Sequence, residues 1–338
     1  MINLLTLIVA VLAVIAIVRV VRVLELATEL SGEDESVISR KDNRFNGIMF
    51  VIFLVLGVAS MVYFTLDAKK YLLPISASKH GEITDKLLDV NWILIIVVFL
   101  ITQTLLFLFS FQYNHRSEKK AFFYPINHTL EFIWTIIPTI VLGGMIVYGL
   151  TVWNNITKPA PKGAMEIELY GKQFDWTVRY AGPDNVLGKS NFRLITDDNP
   201  LGVDMKDPAS KDDIIAKELH LPVNSKILLK IHSRDVIHSA YLPHFRTQMN
   251  AVPGMTTQFF FEPTITTAQM KEITKNDKFE YVLLCNKICG VAHYNMKMNV
   301  VCEDADQFTR WVLKQNPVVP KTSASVDGAS STQVMAKK

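Results

Sequence analysis

The chain has few cysteines, and none of them belongs to a haem-attachment motif. Only Cys285, Cys289 and Cys302 occur in 338 residues, and no C-x-x-C-H sequence is present. Covalent attachment of a c-type haem to this chain is therefore excluded. A formal net charge of +3 is also too small to indicate a nucleic-acid partner. We expect Cys302 to be a small buried residue on a strand.

Apolar residues, in contrast, make up 49% of the chain, which is more than an ordinary soluble protein of this length contains. A membrane-spanning helix needs about 17 to 25 such residues in a row. Four segments meet this requirement, namely residues 1–22, 47–66, 91–113 and 131–154. A cleaved signal peptide is the alternative for the first segment. The positive charges Arg19 and Arg22 follow its apolar run instead of preceding it, which favours a retained helix.

Basic residues in the connections predict how the chain is oriented. Residues 23–46 and 114–130 contain several arginines and lysines, among them Arg40, Arg44 and Arg116. The positive-inside tendency places both connections in the cytoplasm, although lysines also occur in the connection 67–90. We therefore expect residues 67–90 and everything after residue 154 to lie on the outer side.

The pattern changes after the last apolar segment. Short runs rich in Ile, Leu, Val and Tyr alternate with turn residues over 155–302, which predicts a small antiparallel β barrel or sandwich. Residues 181–216 interrupt it with an acidic cluster whose spacing does not fit an EF-hand, so a solvated surface insertion is favoured over a calcium site. Residues 303–315 predict an amphipathic helix, and 316–338 predict a disordered tail.

Soft metal donors are concentrated within twelve residues of the β region. Thiols and thioethers favour copper over magnesium or calcium, and two thiols close together can bridge two metal ions. A histidine that closes a strand-like run upstream supplies a further imidazole. The sequence therefore predicts a binuclear copper site without an open position for substrate, and hence a role in electron transfer. Its predicted ligands are His238, Cys285, the backbone carbonyl of Lys287, Cys289, His293 and Met296.

Two other interpretations of the cysteine pair are weaker. A disulfide could link Cys285 and Cys289 in an oxidising compartment, but it would require neither His293 nor Met296. A structural zinc site seldom uses methionine and more often contains paired C-x-x-C sequences. A copper site therefore remains the favoured interpretation.

The copper loop and four further motifs resemble subunit II of cytochrome c oxidase, with its binuclear copper-A centre. The motifs are EFIWTIIP (131–138), KELHLPV (217–223), DVIHS (235–239) and AVPGM (251–255), and the resemblance covers about residues 90–315. It implies a multi-domain membrane protein with transmembrane α-helices followed by an all-β cupredoxin-like domain. The family has two spans, so residues 1–22 and 47–66 are additional helices of a bacterial type. We expect these helices to dock a partner respiratory complex.

The resemblance also implies a function. Such a subunit accepts electrons from cytochrome c, or from a cytochrome c domain of a neighbouring respiratory complex. It passes them to haem in subunit I, where dioxygen reduction is coupled to proton pumping. The implied cofactors are two copper ions, with no haem on this chain. The implied partners are subunit I, other oxidase subunits and membrane lipid, in a bacterial inner membrane with the copper domain on the periplasmic side.

The resemblance also gives expectations for Glu131, Phe174, Trp176 and Asn250, which are not predicted copper ligands, and for the side chain of Lys287. Glu131 resembles the acid at the mouth of the proton-conducting K pathway, and a solvated acid at a helix start is the alternative. Phe174 and Trp176 lie in the aromatic electron-entry region, where many relatives have Trp in place of Phe174; Trp176 could equally be a packing residue. Family members usually have Glu in place of Lys287, with its side chain on magnesium. Together with Asn250, Lys287 predicts that this magnesium site is altered or lost.

Three other functions are compatible with parts of the sequence. A quinol oxidase subunit II would keep the β domain but lack Cys285 and Cys289. A nitrous oxide reductase, another terminal reductase, has a similar copper loop but lacks this membrane anchor. A membrane-anchored copper chaperone would need exchangeable copper with few ligands, whereas the predicted site is saturated.

Overall fold

The computed structural model describes residues 2–31, 39–116, 118–120 and 122–318. They form two units, one from residues 1–70 and 94–129 and the other from 71–93 and 130 onward. Six α-helices lie within the described ranges: α1 Ile2–Ser31, α2 Arg40–Asp67, α3 Lys79–Gln112, α4 His128–Thr157, α5 Thr267–Thr274 and α6 Ala305–Lys314. The predicted tail lies outside the described residues from 319 onward, as do residues 32–38 of the first connection.

Helices α1 to α4 are long and apolar enough to cross a membrane, with mean hydropathies between 1.9 and 2.8 over their most apolar windows. Only an α-helix satisfies the backbone polar groups of a single segment in a bilayer core. Helix α1 extends to Ser31 and α3 begins at Lys79, so both continue past their predicted apolar segments. Helical hydrogen bonding does not stop where the apolar residues stop, and hydropathy alone could not show these ends.

Two five-stranded sheets follow the membrane helices, which confirms the predicted fold class. One sheet has the order β3-β2-β1-β5-β8 and the other β4-β10-β9-β6-β7. Strands β1 and β5 are parallel, as are β4 and β10, and the other neighbours are antiparallel. The strands are β1 Met165–Lys172, β2 Asp175–Tyr180, β3 Ile214–Ala216, β4 Leu219–Pro222, β5 Ile227–Ser233, β6 His238–Leu242, β7 Thr247–Ala251, β8 Thr257–Phe261, β9 Tyr281–Cys285 and β10 Lys297–Glu303.

Side chains from both sheets form one apolar core. Ile167, Leu169, Trp176, Leu221 and Leu283 are completely buried in it. Alternating strand residues point to opposite faces, so each strand contributes every second residue to this core. Two short helices pack against it as well, α6 through Phe308 and α5 through Met270.

The insertion at 181–216 differs from the predicted solvated loop, because one of its acids is buried. Arg179 on β2 is 1% exposed and contacts both Glu168 and Asp213, with Nε 2.7 Å from Glu168 and Nη1 2.8 Å from Asp213. Burial raises the pKa of Asp213 to about 6 despite Arg179. Burial also opposes ionisation of Glu168, but His232, Arg179 and the Tyr170 hydroxyl together lower its pKa to about 2. The insertion is therefore fixed to the β sandwich by a buried ion pair.

A segment before and within the first turns of α3 is attached to the β sandwich. The N–H of Ala77 donates to the carbonyl of His244 (2.7 Å), and the N–H of Thr264 donates to the carbonyl of Ala77 (2.8 Å). Arg246 donates from Nε and Nη2 to the two carboxylate oxygens of Asp85, both at 2.8 Å. We call residues 74–85 the anchor segment. Its contacts join the β sandwich to the start of a membrane helix.

Candidate metal centre

Two adjacent strands bring the first two predicted donors together. His238 begins β6 and Cys285 ends β9, and these strands pair with Ala240 opposite Cys285. His238 and Ala240 are two residues apart and share a face of the sheet, which makes His238 a diagonal neighbour of Cys285. The Cys285 Sγ atom lies 3.8 Å from His238 Nδ1.

The loop between β9 and β10 supplies the remaining donors. The Cys289 Sγ atom lies 3.8 Å from Cys285 Sγ, 3.6 Å from His293 Nδ1 and 3.7 Å from Met296 Sδ. The carbonyl oxygen of Lys287 lies 3.2 Å from Cys285 Sγ. All six donors predicted from the sequence therefore lie in one cluster.

The two cysteines are not bonded to each other. Their sulfur atoms are 3.8 Å apart, whereas a disulfide bond is about 2.05 Å long. The donor atoms of His238, Cys285 and Cys289 lie within 4.8 Å of one another, close enough to share a metal ion. Thiols and a thioether are soft donors and imidazole also suits copper, so this His/Cys/Cys cluster is compatible with copper binding.

The cluster is largely withdrawn from solvent. His238 is completely buried, Met296 is 1% exposed, and both cysteines are buried. Burial raises the pKa of the Cys289 thiol to about 11, and the neighbouring Cys285 adds to the shift. Without a metal this thiol therefore stays protonated at neutral pH. Metal binding at the cluster must then release protons, as is general for thiolate ligands.

Two polar residues hold the donors in place, and sequence reasoning gave neither of them a role. The Asp235 Oδ1 atom lies 2.8 Å from His238 Nε2, and Gln173 donates from its backbone N–H to Asp235 Oδ2 (2.7 Å). Burial of Asp235 opposes its ionisation, but hydrogen bonds from Gln173 and His238 outweigh burial and lower its pKa. Gln173 also donates from Nε2 to the carbonyl of Cys289 (2.5 Å). The sequence signal that could have identified Asp235 was its position three residues before His238, a predicted ligand.

Gly290 permits the close approach of the loop to residues 173 and 174. Its φ angle is +145°, and a Cβ atom there would lie 2.8 Å from Gln173 Nε2 and from the Phe174 ring. An L-residue with a side chain would be strained and would clash. Glycine at this position therefore lets Gln173 reach the Cys289 carbonyl.

We expect Asp235→Ala to lower copper affinity by about 10- to 100-fold, the usual cost of losing a residue that orients a metal-ligating histidine. The alanine would leave His238 Nε2 without its carboxylate partner. Competition with a copper chelator during titration of the purified protein measures the change. Asp175→Ala is the matched control, since Asp175 is exposed on β2. Its carboxylate accepts from Lys217 Nζ and from the N–H of Trp176. Equal affinities for the two variants would contradict the role of Asp235.

The other predicted site residues lie in two places. Trp176 is completely buried in the core with its ring edge-on to His238, at a centroid distance of 5.9 Å. Phe174 is partly buried and packs against the core beside the loop. Glu131 is in the first turn of α4, outside the cluster. The structure therefore brings the aromatic residues, but not Glu131, next to the candidate metal centre.

Comparison with known proteins agrees with this arrangement. Residues 165–304 match the family model of the cytochrome c oxidase subunit II periplasmic domain, and residues 65–152 match the transmembrane domain of the same subunit. The alternative cytochrome c oxidase subunit 2 of Bradyrhizobium diazoefficiens is 31% identical over 285 residues, covering 83% of this chain and 95% of the relative. The chain belongs to the cytochrome c oxidase subunit II family. It is therefore a subunit of a haem-copper oxidase, an oxidoreductase complex.

Other relatives are more distant. Cytochrome c oxidase subunit 2 of Thermostichus vulcanus is 24% identical, covering 78% of this chain and 86% of the relative. Among solved structures, the periplasmic domain of subunit II of cytochrome oxidase from Bradyrhizobium japonicum is 25% identical, with a TM-score of 0.32, covering 46% of this chain and 96% of that domain. Helix α1 and nearly all of α2 precede the matched residues, so they are additional to the transmembrane domain of the family model.

Proposed function

We propose that this chain is the electron-entry subunit of a cytochrome c oxidase and holds a binuclear copper-A centre. The observation that carries the proposal is the pair of unbonded sulfurs 3.8 Å apart, each with an imidazole nitrogen within 3.8 Å. The proposed ligands are His238, Cys285, the Lys287 carbonyl, Cys289, His293 and Met296. A single mononuclear blue-copper site would need only one of the two thiols.

Bound copper would supply the one-electron redox couple. The chain's own residues keep the donors in place between oxidation states. Cys285 donates from its N–H to the carbonyl of Met296, and Asn286 donates to the carbonyl of Ser239, both at 3.0 Å. Together with Asp235 and Gln173, these hydrogen bonds fix both ends of the loop to the sheet. Small ligand movement favours fast electron transfer, because little reorganisation accompanies each step.

Electron paramagnetic resonance of the purified, copper-loaded protein tests this proposal. One unpaired electron shared over two copper nuclei gives a hyperfine pattern that a single copper ion cannot give. We expect that pattern together with two copper ions per chain. A pattern from one copper nucleus would contradict the proposed function. Rapid exchange of the copper with a chelator would instead favour the alternative, a membrane-anchored copper chaperone.

The proposed partners and location follow from the family. We propose that a cytochrome c, or a cytochrome c domain of a neighbouring complex, delivers the electrons on the periplasmic side of a bacterial plasma membrane. The chain passes them to haem in subunit I, which reduces dioxygen with coupled proton pumping. The periplasmic position is supported by the description of the family model matched at 165–304. The lysine at 287 places a cation where the family's magnesium site has an acid, so we propose that this site is altered or lost.

Glu131 is proposed to admit protons to the K pathway from the cytoplasmic end of α4. We expect Glu131→Gln to slow haem reduction by at least about tenfold, because an ionisable group at the start of a proton path would be lost. Stopped-flow reduction of the purified complex measures this rate. Copper content should not change, since Glu131 lies outside the metal cluster. Glu118→Gln, which changes an exposed acid of the connection before α4, is the control. Unchanged reduction in the Glu131 variant would remove the assignment.

A further inference from the structure

A basic pocket of about 430 Å³ lies between the start of α2 and the end of α3. Three arginines line it, Arg40 and Arg44 from α2 and Arg116 from the connection after α3. Leu108 and Phe111 form its apolar side. Its volume is in the range of about 300 to 1,000 Å³ that is usual for ligand pockets. We call these residues the arginine pocket.

The walls of the pocket are fixed by close packing of the two helices. Gly47 is the one buried residue among the described positions of α2, and a Cβ atom there would lie 3.1 Å from Phe111 Cδ2 and 3.2 Å from Phe111 Cα. Asn43 donates from Nδ2 to the carbonyl of His115 (3.3 Å), 72 residues away in the chain. These contacts hold Arg44, one turn before Gly47 on α2, beside Phe111 on α3.

Most of the positive charge of the pocket is uncompensated within the described residues. No carboxylate from that part of the chain lines it, and Arg44 and Arg116 have no acidic partner there. Arg40 lies 3.8 Å from Glu118, but both side chains are at least 75% exposed, so this pair contributes little. The N-terminus of α2 adds the positive end of its helix dipole. Three cations in one concavity repel each other unless an anion lies between them.

We propose that the arginine pocket binds the headgroup phosphate of an anionic phospholipid from the cytoplasmic leaflet. A guanidinium group matches two phosphate oxygens with two parallel N–H donors. Leu108 and Phe111 are exposed apolar residues of a membrane helix, so an acyl chain can continue from the pocket along α3. Anionic lipids are common in the cytoplasmic leaflet, and basic pockets between membrane helices bind their headgroups. The proposal rests on the orientation proposed above, in which α2 begins in the cytoplasm.

Lipid binding to the delipidated, purified oxidase complex tests the proposal. Phosphatidylglycerol, phosphatidylcholine and inorganic phosphate are the three probes, and native mass spectrometry together with thermal melting measures their binding. We expect phosphatidylglycerol to bind and stabilise the complex, and R40Q/R44Q/R116Q to weaken its binding by at least about tenfold. Phosphatidylcholine binding should be weak and similar in all variants, since its headgroup carries no net charge. Inorganic phosphate should neither stabilise the complex nor compete with the lipid.

Two further variants make the result specific. K41Q/K119Q/K120Q removes three charges from the same two connections but none from the pocket lining, and it should bind phosphatidylglycerol as the wild type does. R40K/R44K/R116K keeps the charge that orients the helices but removes the guanidinium fork, and it should weaken binding several-fold. Equal losses in the lysine-to-glutamine and arginine-to-glutamine variants would show general charge attraction and overturn the site. If inorganic phosphate stabilised the complex as strongly as phosphatidylglycerol does, the ligand of the pocket would be a free anion, and the lipid proposal would be overturned.

Copper content and the copper resonance signal, measured on the same samples, separate this proposal from the proposed function. Both should be unchanged in all three variants, because the altered residues belong to another unit than the metal cluster. A wild-type complex that binds the lipid but lacks a binuclear copper signal would contradict the proposed function alone. A complex with that signal and no lipid selectivity would overturn the lipid proposal alone.

Discussion

Replacement of Cys289 by serine is expected to abolish the proposed binuclear copper signal and the proposed electron transfer from cytochrome c. Cys289 is at the centre of the cluster, with Cys285, His293 and Met296 donors all within 3.8 Å of its sulfur. Serine has nearly the same size but offers a hard oxygen donor in place of the thiolate that we propose to bridge the copper ions. Loss of a ligand should cost more than the roughly 100-fold upper limit for residues that only orient ligands. Copper analysis, electron paramagnetic resonance and oxygen uptake with reduced cytochrome c measure the three effects.

Cys302→Ala is the matched control for this experiment. Cys302 is also buried, at 2% exposure, but it lies on β10 outside the metal cluster. We expect the Cys302 variant to keep its copper signal and its turnover. Full copper content with an unchanged signal in Cys289→Ser would rule out the bridging role of this sulfur.

Replacement of Arg179 by alanine is expected to destabilise the β sandwich by about 3 to 5 kcal/mol, the cost of breaking a buried ion pair from one side. Glu168 has a pKa of about 2 and stays ionised at neutral pH, and Asp213, with a pKa of about 6, is mostly ionised there as well. Without Arg179 the two buried carboxylates would lose their shared cation, leaving Glu168 with His232 and the Tyr170 hydroxyl and Asp213 with the N–H of Gly188. For a domain of this size the loss corresponds to a fall in melting temperature of roughly 6 to 20 °C.

Thermal melting of the purified protein at neutral pH, followed by circular dichroism, measures this loss. Arg193→Ala is the control, because Arg193 lies in the same insertion with an exposed side chain near Phe192. We expect its melting temperature to stay close to that of the wild type, as for most surface substitutions. A similar small change in the Arg179 variant would mean that the insertion contributes nothing to stability through this ion pair.

The grouping of the six donors was predictable because most of them are close in the sequence. Cys285, Cys289, His293 and Met296 share one loop, so spacing alone restricts their geometry. His238 is 47 residues before Cys285, and a strand-like run that ends at a histidine was enough to include it. Membrane helices were predictable for a similar reason, since hydropathy over some twenty residues is a local property.

Contacts between distant segments could not be predicted in the same way. The support of the cluster by Gln173 depends on the turn between β1 and β2 meeting a loop 116 residues later, and no local pattern encodes that meeting. The acids of the insertion look alike in the sequence, yet Asp213 alone of them pairs with a buried arginine among the described residues. Helix α5 has only eight residues, too few for a clear helical period beside the strands.

The anchor segment limits how the β sandwich can move. The chain enters the sandwich from α4 through a short tether, and the contacts of residues 74–85 with His244, Arg246 and Thr264 form a second attachment, to the first turns of α3 within the same unit. A domain attached by one flexible linker can rotate about it, whereas two separate attachments prevent this rotation. A redox partner would therefore meet a metal-cluster surface whose orientation to the first turns of α3 is already fixed within this unit.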